Sequence, residues 1–241
     1  MCIRDRIESG RSEFWQSFAM FSMVSVGAFL GGMITVLLVY RLATSPSGTS
    51  GSTMLLAGLA ITALAGSLTS LLEYSADNQL LRQVSLWRMG AFGVTDSFQL
   101  AVAIVFALIA VVCFPRYAQA LNLLLLGESE ARHLGVNVER LKRHLIFWVA
   151  LVMGVSVALV GPVAFVGLVV PHIVRLLVGP DHRRLVILTA VVGAGLMLAA
   201  DCVSRVILAP AEVPVGVITA LIGAPFFIAL LRARAAGLGV L

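Results

Sequence analysis

Residues 163–175 read VAFVGLVVPHIVR, apolar enough for lipid yet broken by Gly167 and Pro171 and ended by His172 and Arg175. Further on, residues 212–227 read EVPVGVITALIGAPFF, again apolar and again punctuated by Pro and Gly. A helix that served only as an anchor would be a uniform run of Leu, Val and Ala. Interruptions at membrane depth are tolerated where the backbone is buried in protein or lines a watery path. The pattern therefore predicts a polytopic transporter.

Hydrophobic residues make up 60% of the 241 and charged residues 12%, against roughly a quarter charged in soluble domains. One small globular core cannot account for that balance. Seven stretches are candidates for crossing about 30 Å of hydrocarbon as helix: 18–40, 54–74, 98–114, 145–160, 162–178, 185–208 and 213–231. The expected fold class is all-α, a membrane helix bundle. The fourth and fifth stretches are short and separated only by Gly161. Joined, they would make a helix of about 34 residues that overshoots the bilayer, so a tight turn back at Gly161-Pro162 is expected.

Net charge is +5, which does not imply nucleic acid. An excess of Arg on one side is what the positive-inside rule produces. Assigning loops alternately puts Arg41, Arg116, Arg132, Arg140, Lys142, Arg143, Arg175, Arg183, Arg184, Arg232 and Arg234 on one side, and Arg82, Arg88 and Arg205 on the other. The richer side is read as cytoplasmic, with the C-terminus inside. The first tail, MCIRDRIESGR, then falls outside with Arg4, Arg6 and Arg11 against the rule. It has no apolar h-region, so it is not a signal peptide. The expectation is that 1–17 is a tail, possibly non-native over 1–6, and that helices preceding it are missing. Cys2, Cys113 and Cys202 lack metal-ligand spacing and read as small apolar fillers.

The longest polar interval is 116–144, RYAQALNLLLLGESEARHLGVNVERLKRH. It is expected to form one short helix, a turn at Gly135 and a second short helix from Val138 to Arg143, with Asn137 as its N-cap. A hairpin with an apolar flank, mixed charge and an apolar tip at Leu134, Gly135 and Val136 is suited to docking a protein. The alternative is a solvated connector. His172 after Pro171 has no second ligand at metal spacing, and a packing and kink role is expected.

EARHLGVNVERLK (130–142), GPVAFVGLVVPHIVRLLVGPDHRRL (161–185), Asp201-x3-Arg205 and PAEVPVGVITALIGAPFF (210–227) together resemble the FecCD-type permeases, membrane subunits of iron-siderophore, haem and vitamin B12 ABC importers. The resemblance runs from about residue 18 to the end and implies one permease domain over 18–241. Such permeases usually carry ten transmembrane helices, so about three would precede the seven here. The resemblance further implies that Glu128, Glu130, Ala131, Leu134, Gly135 and Val136 belong to the ATPase-coupling hairpin. It makes Arg205 a docking residue for a soluble binding protein, although Asp201, four residues earlier on the same helix face, is an equally good intrahelical partner. Gly51, Ser52, Leu55 and Leu56 match the cytoplasmic gate region, or else simply start a helix after SPSGTSG. The segment 77–90 resembles a short outer helix near the pathway.

The function implied is inward movement of a metal chelate, haem or cobalamin across a bacterial inner membrane. The partners implied are two ATPase subunits, a second permease subunit, a substrate-binding protein and membrane lipid. No G-x4-G-K-[ST] motif occurs, so ATP and Mg2+ are expected on the ATPase rather than on this chain, which needs no cofactor and is not itself an enzyme. Two rival readings are a zinc or manganese importer permease, which favours acid and His ligands near the pathway, and a proton-coupled secondary transporter. The latter requires titratable relays at mid-membrane, where Asp201 stands nearly alone.

Overall fold

The computed structural model describes residues 27–45, 48–49, 51–93, 97–208 and 211–235. The tail 1–17 and its arginines lie outside these. Helix α1 (Gly27–Ala43) leads into a two-residue antiparallel ladder, β1 (Thr44–Ser45) with β2 (Gly48–Thr49). All other described elements are helical: α2 (Gly51–Tyr74), α3 (Asn78–Arg88), α4 (Ser97–Cys113), a 3-10 turn (Phe114–Tyr117), α5 (Ala118–Leu124), α6 (Glu128–His133), α7 (Val138–Val160), α8 (Val166–Val178), α9 (His182–Val206) and α10 (Val215–Ala235).

Each of the seven apolar stretches carries a helix. Four runs are long and apolar enough to cross a membrane: α2, the continuous run Gln99–Leu124 through α4 and α5, α7, and α9. Helix α8 is shorter, as are the described part of α1 and the apolar part of α10. Three boundaries differ from expectation. The third stretch does not stop at 114, because Pro115 falls in the first turn of the 3-10 segment, where a missing N–H costs nothing. The expected second short helix, 138–143, is the beginning of α7, which runs unbroken for 23 residues; the polar-to-apolar change within it alters its surroundings, not its backbone. The fifth stretch yields only the 13 residues of α8, about 20 Å at 1.5 Å per residue and short of a full hydrocarbon core.

That shortening has a local cause. Gly161 lies at φ +77° and Phe165 at φ +65°, so 161–165 is an irregular link rather than a tight two-residue turn. Phe165 is the sole non-glycine in the left-handed region among the described residues, and it starts α8, with the amides of Leu168 and Val169 donating to its carbonyl at 3.0 and 2.9 Å.

Helix α8 packs on α9, α10 on both, α4 on α7 and α5 on α9. Val169, Val170 and Val174 are the buried face of α8. Ala200, Val215 and Ile218 form a core where α9 ends and α10 begins, covered by Phe92, Met197 and Val213. By contrast α2 buries no residue within this chain; its Leu55, Leu59, Leu64 and Leu72 are 67–78% exposed. Outward-facing leucine is natural for a chain solvated by lipid, whose tails are as apolar as the side chains themselves.

Loops that the charge count assigns to the same side meet in space. On the poorer side, the amide of Ala91 donates to Val160 O at 3.0 Å and that of Gly216 to Gly90 O at 3.1 Å. These bonds knot the end of α3, the α7–α8 link and the start of α10. The fit is backbone against backbone: a Cβ at Gly90 would stand 2.6 Å from Pro162 O, while one at Gly161 would collide with Trp87 O and one at Gly216 with Met89 O. On the richer side, α5 meets the α8–α9 loop.

Candidate functional site

The polar interval 116–144 is not one helix followed by another of equal length. Gly127, at φ +111°, divides the expected first helix into α5 and α6. In the six residues of α6, Glu128 and Glu130 occupy the first turn and Arg132 and His133 the last, the arrangement that complements the helix dipole. Its end is a Schellman motif. The amide of Val136 donates to Ala131 O at 2.9 Å and that of Gly135 to Arg132 O at 3.0 Å, with Gly135 left-handed at φ +86°. This satisfies carbonyls a helix end otherwise strands.

Asn137 then caps α7, its side-chain oxygen accepting from the Arg140 amide at 3.0 Å. Glu128 meets Lys142 Nζ at 2.6 Å, and Arg132 meets Glu139 at 3.6 Å and Glu128 at 3.9 Å, tying α6 to the first turns of α7. Glu128, Glu130, Leu134 and Gly135 are exposed, Val136 is half-buried and Ala131 is fully buried. The six residues thus share one helix-and-turn unit, but Ala131 is its packing contact. Leu125, Leu126 and Leu134, 50–63% exposed, leave an apolar surface around it.

Beneath α6, Asn122 of α5 makes a clasp that sequence reasoning missed. Its Nδ2 donates to Asp181 Oδ1 at 2.7 Å. Its Oδ1 accepts from the His182 amide at 2.8 Å and meets His182 Nδ1 at 2.9 Å. Asp181 is the N-cap of α9, accepting also from the Arg183 amide at 3.0 Å. The Asn122 bond, followed by the Arg183 amide, lowers the Asp181 pKa below the ordinary carboxylate value. Gln119, Asn122, Leu123, Asp181 and Arg183 line an open cleft of about 510 Å³ here. Two signals in the chain pointed to this place: a lone amide within LNLLLL, and Asp before HRR, an N-cap pattern.

Arg205, in the last turn of α9, is held at home. Its Nε meets Asp201 Oδ2 at 2.9 Å, its Nη1 meets Glu212 at 3.8 Å, and its Nη2 donates to Phe92 O at 3.4 Å. The intrahelical partner is therefore engaged, and the Arg205 side chain remains 48% exposed. Gly51, Ser52, Leu55 and Leu56 sit in the first two turns of α2 and are exposed. The short helix expected over 77–90 is α3, capped by Asp77 and tied to α2 by Arg88–Glu73 at 3.1 Å. His172 sets its ring against Phe226 at 6.1 Å, a packing contact between α8 and α10. Among the described residues no three His, Cys, Asp or Glu side chains gather as a metal site.

A family model for FecCD transport proteins matches residues 12–233. The chain belongs to the FecCD transport family. The hemin transport system permease protein HmuU of Yersinia pestis is 43% identical over 203 residues, covering 84% of this chain and 60% of that protein. The cobalamin import system permease protein BtuC of Halobacterium salinarum is 41% identical over 211 residues, covering 88% and 56%. A metal-chelate type ABC transporter solved in an inward-facing conformation superposes with a TM-score of 0.77 at 33% identity, covering 87% of this chain and 71% of that one. The chain thus spans about 60% of the length of the curated relatives it matches.

Proposed function

We propose that this chain forms the membrane pathway of a binding-protein-dependent ABC importer that moves an iron-siderophore-type chelate, haem or cobalamin inward across a bacterial inner membrane. The observation that carries the reading is the exposed α6–Gly135 unit in a chain of this family. A rigid, ion-paired helix with exposed leucines projects from the arginine-rich side, where a soluble ATPase would meet it. In this reading Glu128, Glu130, Ala131, Leu134, Gly135 and Val136 are the coupling segment, and ATP and Mg2+ act on two ATPase subunits.

The seven apolar helices are membrane spans of a ten-helix family, residues 18–241 form one permease domain, and the C-terminus is cytoplasmic. Gly51, Ser52, Leu55 and Leu56 contribute to the cytoplasmic gate, and the exposure of Leu55 and Leu56 on α2 suits contact with a second permease subunit. Arg205, half-exposed on the opposite side, docks the substrate-binding protein while keeping Asp201 as its local partner.

The test is transport by proteoliposomes holding the protein with its neighbouring ATPase and binding protein, offered haemin, ferrichrome or cyanocobalamin. ATP-dependent uptake of one of these is expected; uptake of none would overturn the reading. Two variants probe the coupling role. Gly135→Ala and Gly135→Trp share the same backbone penalty, about 1 kcal/mol for an L-residue at positive φ. A Cβ at Gly135 meets nothing within 4 Å, so only bulk reaching a partner separates them. Retained ATPase association in the Ala variant and its loss in the Trp variant are expected. Equal association would remove Gly135 from the docking surface.

A further inference from the structure

We propose that Asn122 and Asp181 form the joint through which the coupling unit moves α9, making Asn122 a positioning residue for transport; this rests on the reading above. The coupling unit α6 is separated from α5 by the single turn at Gly127, and α5 reaches the α8–α9 corner through Asn122. One side chain there serves two residues on α9: it donates to the Asp181 carboxylate at 2.7 Å and accepts from the His182 amide at 2.8 Å. The two bonds use different atoms of one planar amide, Nδ2 and Oδ1, so the corner resists both sliding and rotation of α9 against α5. Leu121 of α5 and Leu185 and Val186 of α9 line a neighbouring apolar cleft, and apolar contact is non-directional.

The connection continues beyond the corner. Helix α9 is unbroken from His182 to Val206, so a push at Asp181 reaches its far end as a rigid displacement. There Arg205, bonded to Asp201, and Ser204, whose carbonyl accepts from the Val213 amide at 3.2 Å, lead into the knot with Gly90 and Gly216. A directional clasp at one end and hydrogen-bonded closure at the other make α9 the rod between the two faces. Asp181 carries the charge, Asn122 supplies both a donor and an acceptor, and the pairing has a defined polarity that can be reversed.

That polarity gives the test. Asn122→Asp sets two carboxylates against each other and removes the Nδ2 donor to Asp181. The double variant Asn122→Asp with Asp181→Asn restores one donor facing one carboxylate and leaves an acceptor for His182. In the proteoliposome assay, with whichever of haemin, ferrichrome or cyanocobalamin the unmutated protein carries, the measured quantity is ATP hydrolysed per molecule transported. Asn122→Asp is expected to raise that ratio at least fivefold with ATPase association unchanged, and the swap to bring it back within twofold.

Should Asn122→Asp fail to accumulate, Asn122→Ala replaces it, losing the bonds without adding charge. A wild-type ratio in Asn122→Asp or Asn122→Ala overturns the joint. So does a swap that restores abundance but not the ratio, since that marks a purely structural pair. If the unmutated protein carries no chelate, the transport reading itself fails and the joint falls with it.

Discussion

Replacing Gly216 with Ala tests whether the knot between α3, the α7–α8 link and α10 is held by backbone contact. Gly216 is the second residue of α10, and by helix propensity alone Ala would be favoured there by about 1 kcal/mol. The structure predicts the opposite. A Cβ would collide with Met89 O and stand 3.0 Å from Met89 C and 3.6 Å from Pro162 O. None of these atoms can swing away by changing rotamer, so the end of α3 must retreat. Overpacking of this kind costs about 1–3 kcal/mol.

The retreat also stretches the Gly216–Gly90 bond of 3.1 Å and the Ala91–Val160 bond of 3.0 Å, each worth about 0.5–1.5 kcal/mol. The net loss comes to about 3 kcal/mol after the propensity gain. Gly193→Ala is the control: its Cβ meets only Val170 Cγ1 at 3.8 Å, and the change should be neutral or stabilising by up to about 1 kcal/mol. Unfolding of both variants in mixed micelles, followed by circular dichroism, measures the difference. If Gly216→Ala is as stable as the unmutated protein, the knot is looser than drawn and the argument fails.

Two further outcomes are expected. Because the Asn122 and Arg183 bonds lower the Asp181 pKa, the cap is intact above the ordinary carboxylate range and persists through it. It is lost only as pH falls through the lowered value. Amide exchange at His182 and Arg183 should stay slow through that range in the unmutated protein, and loss of protection at the ordinary Asp value would contradict the clasp. Arg205→Glu would face Asp201 and Glu212 with like charge, whereas Arg205→Gln keeps a donor for Asp201. The first should lower abundance in the membrane and the second should not. Equal abundance would show the ion pairs to be inconsequential.

The broad architecture was legible in the chain because lipid imposes a composition. Long runs without charge mark helices whatever they pack against, and alternate loops divided the arginines in a way the fold's two contact clusters repeat. The errors sit where composition is uninformative. Residues 162–165 are as apolar as α8, yet Gly161 and Phe165 hold them out of the helix through dihedral angles that hydropathy does not encode. Polar residues 138–144 looked separate from the apolar 145–160 although one helical backbone spans both. Gly127 breaks the helix before α6 just as Gly135 ends it, both at positive φ, a dihedral choice that composition does not encode. Asn122 and Asp181 each carry a local mark, the lone amide and the N-cap pattern, but their pairing spans 59 residues of sequence, and no local pattern joins the two.

Among the described residues, the glycines where a side chain would be obstructed fall into two genetic classes. At Gly161 and Gly216 the obstructing atoms are main-chain carbonyls of Trp87 and Met89, which every residue possesses. No change of side chain at 87 or 89 can make room, so suppressors of a substitution there must alter the path of the chain, by shortening or lengthening the segment after α3. At Gly154 the obstruction is the Phe29 ring, 3.1 Å from where a Cβ would stand, and at Gly223 the Phe165 side chain, with Cγ at 2.7 Å. At 29 a smaller side chain relieves the conflict; at 165 the nearest atom is Phe165 Cβ, so only glycine there does. In related sequences the second class should drift as compensated pairs, while the first should stay glycine even where every neighbouring side chain has been replaced.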